Sequence, residues 1–200
     1  PPGTAREELP PLLDLYDVLA AILLWGALAA LCSAAVTGEP VSLRAAYGRA
    51  RDCFWTLFGV SVLSGLATVA ALLVLVVPGI AVFLLLFLAS HVAVIEGRGV
   101  TESLDRSWKI SRPHWRRVAG VLAVTALIYA LPFLPGYGAV ELAGEGAAWL
   151  AGVTGVLESL LNVLVYPFAA ASTTLLYYDC RVRSEALDLQ AAAEGLPVPA

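Results

Sequence analysis

The 200-residue chain is 60% hydrophobic and 14% charged, with a net charge of −4 and a mean hydropathy of +0.82. Charged residues make up about a quarter of an ordinary soluble domain. This composition therefore excludes a soluble enzyme or a nucleic-acid binder, and 200 residues suffice for one membrane domain of five or six helices. Eleven of the twelve basic residues are Arg, which with the abundant Ala points to a GC-rich bacterial genome. The chain opens Pro1-Pro2-Gly3 and contains no Met, so its start is expected to lie inside a longer protein.

In chain order, residues 1–15 read as an external tail holding Arg6, Glu7, Glu8 and Asp14. A first apolar span covers residues 18–36, entered past Asp17. Ser42 then opens a short basic segment, its hydroxyl placed to accept from a first-turn N–H. Leu43, Ala46, Tyr47, Ala50 and Phe54 share one face, with Arg44, Arg51 and Asp52 elsewhere, which predicts an amphipathic helix lying in the membrane interface. Between Asp52 and Glu96 the chain runs for 43 residues without a charge. As helix that run would be roughly 65 Å long, twice the roughly 30 Å hydrocarbon core of a bilayer. Pro78-Gly79 near its middle predicts two spans, 54–77 and 79–95, joined by a tight turn.

A second basic segment follows, with Thr101 as its cap and Leu104, Trp108 and Trp115 toward the apolar side. Glu102 with Arg106 and Asp105 with Lys109 are i,i+4 pairs, each worth a few tenths of a kcal/mol. A fourth span covers 118–134. A fifth begins after Ala147 and ends near Tyr178, where Asp179 and Arg181 return the chain to water. The stretch 147–178 would be about 48 Å long as helix. That length puts Glu158 at the outer headgroup level and Pro167 mid-membrane as a kink. Residues 16–185 thus make a multi-pass membrane domain and 186–200 a cytoplasmic C-terminal tail.

Five crossings place eleven of the twelve basic residues on one side: Arg44, Arg49 and Arg51 after span one, the six from Arg98 to Arg117 after span three, and Arg181 and Arg183 at the end. Cytoplasmic loops carry the excess of Lys and Arg, so the C-terminus is expected in the cytoplasm of a bacterial cell. The other side has Glu141 and Glu145 before span five. Exposed basic residues attract anionic headgroups by about 1 kcal/mol each, which makes anionic lipid the first expected partner.

Two stretches echo one another. Gly38-Glu39-Pro40-Val41-Ser42 leads to Phe54-Trp55 and Val77-Pro78-Gly79, and Gly97-Arg98-Gly99-Val100-Thr101 leads to His114-Trp115 and Leu134-Pro135-Gly136. The unit would be an interfacial helix, a span, a turn and a returning span. Two crossings per unit make the copies parallel.

No constellation specifies a reaction. The sequence lacks HExxH, GxSxG, a P-loop and metal-ligand spacing, and no cofactor is expected. Cys32, Cys53 and Cys180 have unrelated spacings and read as small apolar fillers or free thiols. His91, near the cytoplasmic end of span three, cannot meet Glu158 at the outer end of span five; both His91 and His114 read as polar interface residues. Glu158 and Asn162, at i,i+4, form a candidate outward vestibule. The hydroxyls of Ser172, Thr173 and Thr174 below it are expected to bond back to their own helix or to a neighbour. At the cytoplasmic mouth Glu96, Asp105, Arg106, Trp108, Asp179, Arg181, Arg183 and Glu185 fall at one depth. They read as a polar cluster locking the second interfacial helix onto the end of span five, or as an anion site built from Arg106, Arg181 and Arg183.

The strings Val77-Pro78-Gly79-Ile80, Val94-Ile95-Glu96-Gly97, Ser103 through Ser111 (SLDRSWKIS), Trp115-Arg116-Arg117-Val118 and Leu175 through Glu185 (LLYYDCRVRSE) resemble the membrane domain attached to some bacterial glycerophosphoryl diester phosphodiesterases. The same domain also occurs alone. Cys180 and Ala186 depart from the pattern, which has an aliphatic residue and Gly there. The resemblance implies a six-span protein with a cytoplasmic start, of which this chain lacks the first helix and span. The phosphodiesterase chemistry itself belongs to a separate barrel, whose ligands are not in this chain. The expectation is therefore an all-α integral membrane protein with five transmembrane helices and two amphipathic interfacial helices in a parallel internal repeat. It would be a non-catalytic scaffold or partner- or lipid-interacting module, with a transporter or lipid-handling protein as the alternative. A packed apolar interior favours the first, and bound lipid or an internal path the second.

Overall fold

The computed structural model describes residues 10–40, 42–131 and 148–193, and these are helical with short connections and no strand. Helix α1 spans Pro10–Thr37, α2 Leu43–Asp52, α3 Phe54–Val74, α4 Val76–Leu86, α5 Ala89–Glu96 and α6 Val100–Ser111. A 3-10 turn, Arg112–His114, leads into α7, Trp115–Ala130, and α8 covers Ala148–Ala193. Four segments are long and apolar enough to cross a membrane: Tyr16–Thr37, Phe54–Val74, Val76–Glu96 and Gly152–Ala186. The third is α4 and α5 in line, broken only at Phe87-Leu88. The fourth expected span corresponds to α7, whose 16 residues measure about 24 Å. Residues 132–134 of that span, the Leu134-Pro135-Gly136 turn, Glu141 and Glu145 lie outside the described residues.

Side-chain pairings fix the helix directions. Ser33 Oγ lies 2.7 Å from Tyr178 OH, and Trp25 packs edge-on to Tyr166, so α1 and α8 run parallel. Arg117 meets Asp179 while Tyr129 meets Tyr166, so α7 runs antiparallel to α8. Those two contacts are 13 residues apart on α8, about 20 Å along its axis.

The chain reverses between α3 and α4 at Leu75, not at Pro78-Gly79. Leu75 is the one extended residue (φ −161°, ψ 143°), and Val76 already begins α4. Pro78 thus sits in the first helical turn, where the missing N–H has no intrahelical acceptor to lose. Gly79 is needed for a close approach: a Cβ there would stand 2.8 Å from the Leu72 Cα of the facing helix.

Two left-handed glycines, Gly38 (φ 76°) and Gly97 (φ 65°), terminate α1 and α5. After Gly38 the Glu39 N–H bonds the Ala34 carbonyl at 2.9 Å, a Schellman closure. Ser42 caps α2 as expected, its Oγ accepting from Ala45 N at 3.4 Å. Thr101 does not cap α6: the cap position is Gly99, two residues earlier, so Thr101 is already inside the first turn. Both ends of the assigned membrane domain are helical beyond its limits. α1 starts within the 1–15 tail, and α8 continues to Ala193 without a break at Pro167. Asp179–Arg183 and Arg181–Glu185, both i,i+4 pairs, support that extension.

Burial runs opposite to the soluble pattern. Small and hydroxyl residues fill the inside: Ala30, Ala46, Ala89, Ala93, Ser103, Ser107 and Thr174 are all buried. Large apolar residues such as Leu73, Val77, Leu127 and Leu164 face out in contiguous stripes. The short helices follow the same rule and correct the expected faces. α2 buries Ala46 and Ala50 but exposes Leu43 and Tyr47. α6 buries Ser103, Ser107, Ile110 and Ser111, while Trp108 and, on α7, Trp115 are exposed. Small side chains let helix backbones approach closely, the packing used where lipid surrounds the bundle. Ser107 also repairs the α4–α5 break, donating to the Leu85 carbonyl at 2.7 Å.

Candidate functional site

The charged residues gather at one end of the bundle, where α5 stops, α6 crosses and α8 emerges. They form two clusters rather than one. In the first, Glu96 is the hub. Tyr177 OH donates to its Oε1 at 2.7 Å, Arg106 Nε reaches the same oxygen at 3.4 Å, and Arg98 Nε bonds the other oxygen. Arg106 also bonds Glu185 at 2.9 Å, as does Arg181, whose other arm reaches Tyr177 OH at 3.4 Å. The Glu96 side chain is only 9% exposed. It stands just past the apolar run ending at Ile95. Burial there would raise its carboxyl, but the Tyr177 hydrogen bond and the Arg98 and Arg106 guanidinium groups outweigh that and hold it below the usual carboxylate range.

The second cluster is separate. Asp179 accepts from Arg117 at 2.7 Å and from Arg183 at 2.8 Å. Its carboxyl likewise sits below its ordinary value: slight burial is overcome by those two guanidinium groups. Of the expected set, Glu96, Arg106, Arg181 and Glu185 come together and Asp179 and Arg183 pair elsewhere. Asp105 pairs with Lys109 at 2.9 Å, and Arg106 turns away from Glu102. Trp108 points outward. The proposed triad of Arg106, Arg181 and Arg183 is not assembled as an anion site, because each guanidinium already faces a carboxylate. Arg98 and Arg117 were missed. Their signal was position: Arg98 is two residues past Glu96, and Arg117 opens the helix that faces Asp179.

A cavity of about 840 Å³ occupies the interior between α1, α3, α4–α5, α7 and α8. Its floor, toward the ion-pair end, is buried: Gly26, Ala29, Leu57, His91, Ala169 and Thr173. Its rim, away from that end, includes the exposed Val18, Phe83 and Ala130. No Asp, Glu, Lys or Arg lines it. A groove of about 360 Å³ between α3 and α4 adjoins it, sharing Ser61, Phe83, Phe87 and Ser90. Glu158 and Asn162 line neither space. Both are half-buried on α8, and Asn162 Oδ1 has no hydrogen-bond partner.

His91 is 6% exposed, and its Nε2 lies 3.1 Å from Thr173 Oγ1. Thr173 donates its own proton to the Ala169 carbonyl at 2.9 Å. Its oxygen is then the acceptor, which assigns the proton to Nε2 of His91. Nδ1 is left as a buried acceptor without a partner. Thr174 donates to the Ala170 carbonyl at 2.7 Å, so both threonines bond back as expected, and Thr173 also bonds across helices. Cys32 and Cys53 are partly buried and Cys180 buried, all as free thiols.

Among the described residues no group of His, Cys, Asp and Glu is placed to hold a metal ion. No curated protein and no solved structure matches the chain. A family model described as a domain of unknown function, DUF7847, matches residues 18–179, from the first apolar helix to the second ion-pair cluster, and the chain belongs to that family.

Proposed function

We propose that this chain is a non-catalytic, lipid-interacting module of the bacterial cell membrane, crossing it five times with its ion-pair end and C-terminus in the cytoplasm. The observation that carries the reading is the inverted burial: large apolar side chains outside, Ala, Ser and Thr inside. Lipid tails solvate Leu and Val as well as a protein core does, so only close packing and hydrogen bonds draw such helices together. The antiparallel course of α7 against α8 supports a fifth crossing. The left-handed Gly38 and Gly97, each ending a helix before a short one, support the parallel repeat. The likeness to phosphodiesterase membrane domains fits an accessory module. Alkaline phosphatase fused after Gly144 should be active, and fused after Ala200 inactive. Activity at both positions would sink the five-span topology.

The lipid-handling reading now has an observation in its favour over a plain scaffold. The interior is not close-packed but holds a cavity near the upper end of the roughly 300–1,000 Å³ usual for ligand sites. In the proposed orientation its rim faces the outer half of the bilayer.

A further inference from the structure

We propose that the interior cavity binds an uncharged lipid by its hydroxyl group, with His91 as the acceptor. This deepens the lipid-handling reading and rests on it. The wall carries no charged side chain, so a carboxylate or phosphate headgroup would enter without a counter-charge, at a desolvation cost of several kcal/mol. A hydrocarbon chain meets no such cost against Ile22, Trp25, Phe83 and Leu122. The polar feature at the buried floor is the His91–Thr173 pair. Because Thr173 holds the Nε2 proton, the ring presents an acceptor, and Nδ1 has no donor. An unmet buried acceptor costs about 1–3 kcal/mol. A hydroxyl supplies one donor and no charge. Diacylglycerol and a polyprenol share that chemistry.

Trp25 on the wall reports occupancy. The wild-type protein in detergent is titrated with dibrominated octadecanol, with its methyl ether, which cannot donate, and with dibromostearate. The alcohol should saturably quench emission that the Trp25→Phe variant lacks. The ether and the carboxylate should bind at least about tenfold more weakly, the factor that corresponds to one net hydrogen bond. His91→Phe should bring the alcohol down to the level of the ether. Equal binding of alcohol and ether by the wild type would overturn the role of His91 while leaving lipid uptake standing. Absence of Trp25 quenching by all three would overturn the lipid-handling reading as well. Displacement of the bound alcohol by dioleoylglycerol or by undecaprenol supports the proposal and names the source. Displacement by neither overturns it for membrane lipids.

Discussion

The two ends of the bundle solve opposite problems. At the charged end Glu96, Glu185 and Asp179 are each met by two guanidinium groups, and the buried Tyr177 ties α8 to the end of α5. Toward the other end the helices part around about 840 Å³ of apolar space, and polar atoms such as His91 Nδ1 and Asn162 Oδ1 lack partners. Lipid supplies no hydrophobic force between helices, so polar locks must hold the bundle together where they can reach water. Stability is therefore concentrated at the lock, and the cavity is free to open. Substitutions at the lock should cost folding stability, while substitutions along the cavity should change what binds there.

The sharpest break in that division is Glu96→Ala, which leaves Arg106 and Tyr177 partly buried without their acceptor. Removing one partner of a buried ion pair costs about 3 kcal/mol, so the thermal midpoint in detergent should fall markedly. Glu96→Gln should recover part of the loss, because the amide oxygen still accepts. Acid should mimic the change. The folded-state pKa of Glu96 lies below the ordinary value. Its contribution is thus fully present above the unfolded carboxylate value of about 4.3 and is lost as pH falls through the folded value. A thermal midpoint that falls in acid for the wild type but not for Glu96→Gln would identify this carboxyl as the cause.

Gly79→Ala tests the opposite end. Its Cβ would meet the Leu72 backbone, so the α3–α4 hairpin must spread, at a cost of about 2 kcal/mol. The loss should be read in the thermal midpoint with the Trp25 quenching unchanged, since neither Gly79 nor Leu72 lines the cavity. Ser107→Ala strips the donor from the Leu85 carbonyl at the α4–α5 break and should cost about 1 kcal/mol, measured in the same way.

These residues show what the sequence could carry. The long uncharged run between Asp52 and Glu96 made two helices legible, because hydrocarbon thickness sets their length. The turn between them was misplaced by three residues, since Pro reads as a breaker although it is harmless in a first helical turn. Which face of α6 is buried was hidden for a related reason. Amphipathic reasoning assigns Trp108 and Leu104 inward, but in a bundle solvated by lipid the Ser103–Ser107–Ser111 spacing was the better signal. The charged end was legible as composition at one depth. Its partition was not, because which Arg meets which carboxylate depends on helix rotation. The cavity left no mark at all: a space between five helices belongs to no local pattern.

The smallest effect decides whether the charged end is one device or two. Double-mutant cycles isolate a pairwise term when each variant removes only that contact. Arg117 and Asp179 touch at 2.7 Å but are both substantially exposed, so their coupling should fall within about 0.2–1 kcal/mol. Arg106 with Asp179 should give coupling near zero, because Arg106 is held by Glu96 and Glu185. Equal coupling for the two cycles would merge the clusters. It would also mean that α7, which reaches α8 through Arg117, is locked as firmly as α6. Then the wall of the cavity formed by α7 could not move independently of the ion-pair end, and a lipid would have to enter past Val18 and Phe83 on α1 and α4 instead.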